Sequence, residues 1–244
     1  MRFKDKVAIV TGAGQGIGEG YARALAAEGA RVVVADINEE QGRRVAKELA
    51  PGALFTRVDV GDPASVEAMV AATMAEYGRV DHLVNNAAIY AGMRREGLCT
   101  VDLEYLDRFL RVNLLGALLC TRAVVPHMVE GSAIVNQSST AAWMGGGYYG
   151  LAKAGINSLT ASLAAELGGR GIRVNGIAPG PTDTEATRDI VPEEYRAAMT
   201  QGLALKRLGT VEDMAGALLF LLSDDAAWLT GQVVSVDGGH VVRL

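Results

Sequence analysis

Val7-Ala-Ile-Val-Thr11-Gly-Ala-Gly-Gln-Gly-Ile-Gly18 decides the fold. Val7 to Val10 is a short apolar run without alternation, the pattern of a strand covered on both faces. A glycine cluster follows at once, and a helical pattern opens at Gly18. Strict G-x-G-x-x-G fails in every register, because Ile17, Glu19 and Tyr21 stand three residues past Gly14, Gly16 and Gly18. The match is T-G-x-x-x-G-x-G on Gly12, Gly16 and Gly18. Glycines at those places let the backbone approach a pyrophosphate, and a helix start offers free N–H groups and a positive dipole end. Read as structure alone, the same stretch is a tight strand-to-helix turn.

The alternation continues along the chain. Further strand patterns run over Arg31–Ala35, Leu54–Val58, Val80–Val84, Ser132–Asn136, Ile172–Ile177 and Gln232–Val236. Helical patterns fill the gaps over Gly18–Glu28, Glu39–Leu49, Pro63–Tyr77, Leu103–Val129, Tyr149–Leu167 and Val211–Leu222. Strand and helix in turn predict an α/β fold: a doubly wound, Rossmann-type parallel sheet of about seven strands with helices on both faces. No Pro/Ser-rich linker and no internal repeat interrupts it, so residues 1–244 read as one domain. The polar strand ends collect the chemistry, and ligands of open α/β sheets sit at the carboxyl ends of strands.

The chain has 244 residues, half of them hydrophobic, and a net charge of −5, enough for one well-packed domain. Few aromatics and no basic run exclude a nucleic-acid footprint. No signal peptide opens the sequence, and no apolar stretch reaches membrane-spanning length free of charge or turn residues. The expected location is the cytoplasm, with no membrane partner. Cys99 and Cys120 match neither a metal spacing nor a disulfide framework and read as small buried hydrophobes. His82, His127 and His240 are scattered, form no metal cluster, and are assigned to surface or core.

Asp36 ends the second strand, twenty residues after Gly16. A carboxylate there accepts hydrogen bonds from ribose hydroxyls and repels a 2′-phosphate, and no Arg or Lys stands at Ile37 or Asn38 to welcome that phosphate. NAD(H) is therefore expected over NADP(H); the alternative for Asp36 is a helix N-cap. Asp59-Val60 ends the third strand, where a side chain reaches toward an adenine amino group or makes a cap or turn. Tyr149 and Lys153 stand four residues apart, on one face of a helix. A nearby cation favours the phenolate, which suits Tyr149 to giving or taking a proton near neutral pH. The alternative is an ordinary amphipathic helix with a snorkelling lysine.

Thr11-Gly12…Gly16-Ile-Gly18, Asp59, Asn85-Asn86-Ala87-Ala88, Asn113, Ser139, Tyr149…Lys153 and Pro179-Gly180…Thr184, in this order and spacing, resemble the short-chain dehydrogenase/reductase family in its single-domain branch. The similarity spans essentially the whole chain and extends to 3-oxoacyl-carrier-protein-reductase-like and dihydrodiol-dehydrogenase-like members. The resemblance implies an oxidoreductase acting on CH–OH donors. It makes Tyr149 the general acid/base, Lys153 the residue that holds the nicotinamide ribose and lowers the Tyr149 pKa, Ser139 a hydrogen-bond donor to the substrate oxygen, and Asn113 the holder of a water linking Lys153 to solvent. It puts the cofactor against Gly12, Gln15, Gly16, Ile17, Gly18, Asp36, Asp59, Val60, Asn86, Ala87, Tyr149, Lys153, Pro179, Gly180, Thr182 and Thr184. It also implies a homotetramer, with the helices Leu103–Val129 and Tyr149–Leu167 at one interface and Val233–Leu244 at another.

Two departures bear on substrate. Ala88 stands where the family pattern has glycine. Ser139 and Tyr149 are ten residues apart, closer than the family shows, so the wall Thr140–Tyr148 is short, and Gly145-Gly146-Gly147 suits a tight path through positive φ. The short wall leaves Ser138 as runner-up to Ser139 and gives Tyr148 to the pocket lining. Arg94 and Arg95 either greet an anionic substrate tail or sit in a solvated loop. Thr184–Leu205 reads as a lid, with Met199, Leu203 and Leu205 as an apolar ceiling or as packing. Secondary alcohols or ketones, cis-dihydrodiols, hydroxysteroids and 3-oxoacyl thioesters all remain open as substrates. A nucleotide-sensing protein without catalysis and an S-adenosylmethionine methyltransferase are the rival classes; the retained Tyr149 and Lys153 argue against the first and the glycine spacing against the second.

Overall fold

The computed structural model describes residues 1–49, 52–190 and 192–242. Val191, inside the expected lid, and Arg243 and Leu244, at the end of an expected interface segment, lie outside the described residues.

Seven parallel strands form one sheet in the order β3-β2-β1-β4-β5-β6-β7. They are β1 Val7–Thr11, β2 Arg31–Asp36, β3 Leu54–Arg57, β4 His82–Asn85, β5 Ala133–Gln137, β6 Arg173–Pro179 and β7 Val233–Val236. The helices are α1 Gly16–Ala27, α2 Glu39–Glu48, α3 Pro63–Tyr77, α4 Leu103–Leu110, α5 Gly116–Val124, α6 Gly147–Leu167, α7 Glu185–Ile190, α8 Glu193–Gly202 and α9 Val211–Leu222. Alternate residues of each strand feed opposite cores. Val7 and Ile9 of β1 pack with Val66, Met69, Cys120, Val124 and Leu163 from α3, α5 and α6. Ala8 and Val10 pack with Tyr21, Leu25, Val45, Met214 and Leu218 from α1, α2 and α9. The apolar strand runs thus have one cause: each face of the sheet carries helices. The strand order turns between β1 and β4, which opens a crevice at their carboxyl ends.

The long apolar run from Leu103 is not one α-helix. It is broken by a π-helical turn at Arg111–Leu115 between α4 and α5 and ends in a 3-10 turn, Val125–His127. Leu103–His127 is long and apolar enough, by length and composition, to cross a membrane, although it carries Glu104, Asp107, Arg108, Arg111 and Arg122. In this fold its Phe109, Ala117, Cys120 and Val124 are buried in the protein. Cys120 is buried as expected, whereas Cys99 is exposed.

Candidate active site

A cleft of about 1080 Å³ runs along the carboxyl edge of the sheet, from Asp36 and Asp59 at one end to Ser139, Tyr149 and Thr184 at the other. Every cofactor residue expected from sequence lines it.

At the nucleotide end the glycines are required by close packing. Gly12 has φ +64°, and a Cβ at Gly18 would lie 2.1 Å from the Gly12 carbonyl oxygen. No side chain caps the first turn of α1, so its N–H groups are left for an anion. Thr11 Oγ1 accepts from the N–H groups of Asn86 and Ala87 at 3.0 and 3.1 Å. Asn86 Nδ2 returns two bonds, to the carbonyls of Thr11 and Gly12, each 3.0 Å. Asp36 is buried and accepts from Gly14 N at 2.7 Å and Asn38 N at 2.8 Å. It is not the cap of α2; that is Asn38, which accepts from Gln41 N. Asp59 makes a turn, accepting from Gly61 N at 2.9 Å, while Asp62 caps α3. Ala88 is exposed and lines the cleft.

At the other end α6 presents Tyr149 and, one turn on, Lys153. The Ser139 hydroxyl stands close enough to the Tyr149 phenol to favour its ionised form. Ser139 also caps the short 3-10 turn Thr140–Ala142. Ser138 is turned away: its hydroxyl donates to Asn157 Oδ1 at 2.5 Å. The geometry therefore separates the two serines in favour of Ser139. Gly145 and Gly147 take positive φ, +67° and +59°, as the short wall requires.

Several expectations need correction. Burial pushes the phenol above the ordinary tyrosine range, Ser139 pulls it back, and Tyr90 adds to the rise. Lys153 Nζ lies 5.8 Å from the Tyr149 ring centroid and donates to the Gln137 carbonyl at 2.7 Å. Burial in turn pushes Lys153 down to about 8. Tyr148 does not line the cleft. It is buried behind it, edge-on to Phe109 at 4.7 Å between ring centroids, with its hydroxyl on the Arg94 carbonyl. The Asn113 side chain is held by the Ile89 backbone, accepting from its N–H at 2.7 Å and donating to its carbonyl at 3.0 Å. The π-turn swings Asn113 inward. Beside it, Asn85, Lys153 and Asn113 bound a cavity of about 10 Å³, room for one water, and Asn85 Oδ1 there has no partner.

Arg94 and Arg95 are not among the residues that line the cleft, whereas Arg108, Arg111 and Arg196 are. Of the lid residues, Met199 lines it, Leu203 is buried and Leu205 is exposed. Thr182 donates to the Gly180 carbonyl at 3.0 Å, and Thr184 Oγ1 accepts from Thr187 N at 3.2 Å. Sequence reasoning missed Gln137, whose carbonyl holds Lys153 and whose side chain takes the Tyr21 hydroxyl at 2.8 Å. It also set aside His240, which lines the cleft. Neither carries a local motif; Gln137 is one strand step before Ser138-Ser139, and His240 is far off in sequence.

The residues present fit a nicotinamide dinucleotide. The Gly12–Gly18 loop is a cradle that a Cβ would fill, an uncapped helix start faces it, and a carboxylate stands at the ribose position of the second strand.

Fold and site together define a Rossmann-type oxidoreductase. The family model described as enoyl-(acyl carrier protein) reductase matches residues 12–240. An uncharacterised oxidoreductase of Mycobacterium tuberculosis is 56% identical over 99% of both chains. The meso-2,3-butanediol dehydrogenase of Serratia marcescens is 34% identical over 98% of this chain and 96% of its own. Among solved structures, a short-chain dehydrogenase/reductase of the glucose/ribitol dehydrogenase type from Brucella melitensis superposes with a TM-score of 0.94 at 29% identity, covering 99% of both chains. A 3-ketoacyl-(acyl-carrier-protein) reductase from Brucella melitensis complexed with NADH gives 0.90 at 34% identity, covering 98% of this chain and all of its own. A blue fluorescent protein from a metagenomic library, in complex with NADPH, gives 0.90 at 32% identity, covering 99% and 100%. The chain belongs to the short-chain dehydrogenase/reductase family.

Proposed function

We propose that this protein transfers a hydride between NAD(H) and a secondary alcohol or its ketone, with Tyr149 as general acid/base. The observation that carries the reading is the placement of Ser139 beside Tyr149, with Lys153 one turn along α6, in the same cleft as the glycine loop and Asp36. The nicotinamide, when bound, supplies or accepts the hydride. The chain supplies position and proton handling. Gly12, Gly16 and Gly18 admit the pyrophosphate, Asp36 takes the adenosine ribose, and Lys153 takes the second ribose. Reduction builds negative charge on the carbonyl oxygen, which the Ser139 and Tyr149 hydroxyls stabilise. Tyr149 gives its proton to that oxygen, and the small cavity at Asn113 and Lys153 is the route by which it is restored.

NAD(H) is favoured over NADP(H) because the Asp36 carboxylate repels a 2′-phosphate. Arg44 is near, donating to the Gly14 carbonyl at 3.1 Å, but its charge is taken by Glu19 and Glu48. The test is a panel of ketones, diols, steroids and 3-oxoacyl thioesters assayed with both cofactors. NADH-dependent ketone reduction supports the reading; tight NADH binding with no turnover on any class favours a sensing role. Exposed Leu103, Leu115, Leu151, Phe220 and Trp228 support self-association into a tetramer, which sedimentation at four times the 25.5 kDa chain mass would register.

A further inference from the structure

The charges lining the cleft are divided by position. Among the described residues the lining carboxylates are Asp36, the last residue of β2, and Asp59 and Asp62, just past β3. On the half formed by β5, β6 and the lid, the described lining residues include no carboxylate, and the groups able to carry positive charge are Lys153, Arg196 and His240. Lys153 belongs to the proton-handling set. The other two have no part in it.

His240 is put there by a built turn. The Asp237 carboxylate accepts from Gly239 N at 3.0 Å and Val241 N at 2.9 Å, bracketing the histidine. Gly238 and Gly239 both take positive φ, +62° and +77°. The turn is clamped from two sides. A Cβ at Gly180 would lie 2.7 Å from Asp237 Cα, and one at Gly239 would lie 2.6 Å from Ala204 Cβ. Leu205 N donates to the Gly238 carbonyl at 2.9 Å, tying the turn to the base of the lid. The imidazole Nδ1 then lies 3.4 Å from Thr140 Oγ1, next to Ser139. The Asp237 carboxylate accepts from its own turn with both oxygens and is not among the residues that line the cleft. Arg196 enters from α8 in the lid. Its side chain is 19% exposed while that of its partner Glu193 is 92% exposed. A pair with one member in solvent is held by at most about 1 kcal/mol, so Arg196 can exchange Glu193 for a better placed anion.

We propose that Arg196 and His240 form an anion-recognising end of the substrate pocket, and that the substrate is an oxo acid or hydroxy acid carrying a free carboxylate. This rests on the hydride-transfer reading above. Both residues position substrate; neither touches the reacting carbon.

The experiment compares 3-oxobutanoate and 4-oxopentanoate with their methyl esters, using NADH near pH 6.5, in wild type, His240→Gln and Arg196→Gln. The acids should be preferred in kcat/KM by about tenfold or more, and each substitution should remove most of that preference through KM. NADH affinity and ester kcat should stay within about twofold. Esters reduced as well as acids, or a preference unchanged in both variants, would overturn the proposal while leaving the hydride-transfer reading intact. A second readout does not need turnover. The chain has three histidines, so the His240 ring is resolvable by NMR, and in the NADH complex the acids but not the esters should shift its ring resonances. No shift with either acid overturns the proposal. Turnover of none of the four compounds, with that shift present, would instead count against the hydride-transfer reading.

Discussion

The backbone N–H of Gly14 donates to Asp36 Oδ2 at 2.7 Å. One carboxylate thus holds the glycine loop against the end of β2 and also faces the cleft. Replacing Asp36 with Ala should lower the NAD/NADP ratio of kcat/KM by about tenfold or more, which corresponds to about 1.4 kcal/mol of discrimination. It should also weaken NADH binding, because the loop loses its anchor. Steady-state kinetics with both cofactors check this; an unchanged ratio would remove Asp36 from cofactor choice.

Two glycines of one loop should respond differently. At Gly16, φ is +57° and the space that a methyl group would take is open, so Gly16→Ala meets only backbone strain, about 1–2 kcal/mol. At Gly18 the added Cβ meets the Gly12 carbonyl at 2.1 Å and Asn86 Nδ2 at 2.4 Å, and the loop must move. Gly18→Ala should therefore lower Tm more than Gly16→Ala and weaken NADH binding more steeply. Thermal melts and fluorescence titration of the two variants decide it.

Burial lowers Lys153 from 10.5 to about 8. Its folded pKa lies below its unfolded one, so the penalty on stability is full below about pH 8 and vanishes above about pH 10.5. Lys153→Met should lose activity yet be more stable at pH 7, by up to about 3 kcal/mol. The advantage should shrink as pH rises through that window. Chemical denaturation at pH 7 and pH 10 measures it.

His82 sits on β4, edge-on to Phe3, with its Nδ1 unpartnered and its pKa pushed down from 6.5 to about 4 by burial. Here stability is present above about pH 6.5 and is lost as pH falls toward 4, by about 3 kcal/mol. His82→Phe should flatten that acid limb without changing activity at pH 7. A pH series of melting curves would show it.

The fold was legible because each sheet face is covered: strand runs such as Val7–Val10 had to be apolar throughout, and the first six each ended at a glycine or polar residue that reached the cleft. The site was legible where spacing on one element made it so, as with Tyr149 and Lys153 on α6. What sequence could not give came from contacts between distant segments. His240 reaches Thr140 across a hundred residues. Tyr148 and Tyr149 are neighbours in the chain, yet helical rotation sends one into the aromatic cluster with Phe109 and the other to Ser139. The π-turn at Asn113 left no mark in a run that reads as uninterrupted helix. Spacing put Lys153 on the right face, but the Gln137 carbonyl, from another strand, decides where its ammonium goes.

Proton transfer by Tyr149 stands or falls on the turnover of Tyr149→Phe. The variant keeps the ring and removes only the hydroxyl beside Ser139. Ketone reduction should fall by about 10²–10⁴-fold, while NADH affinity, read by fluorescence titration of the same preparation, stays unchanged. A rate close to wild type in that variant would contradict the assignment of Tyr149 as the acid.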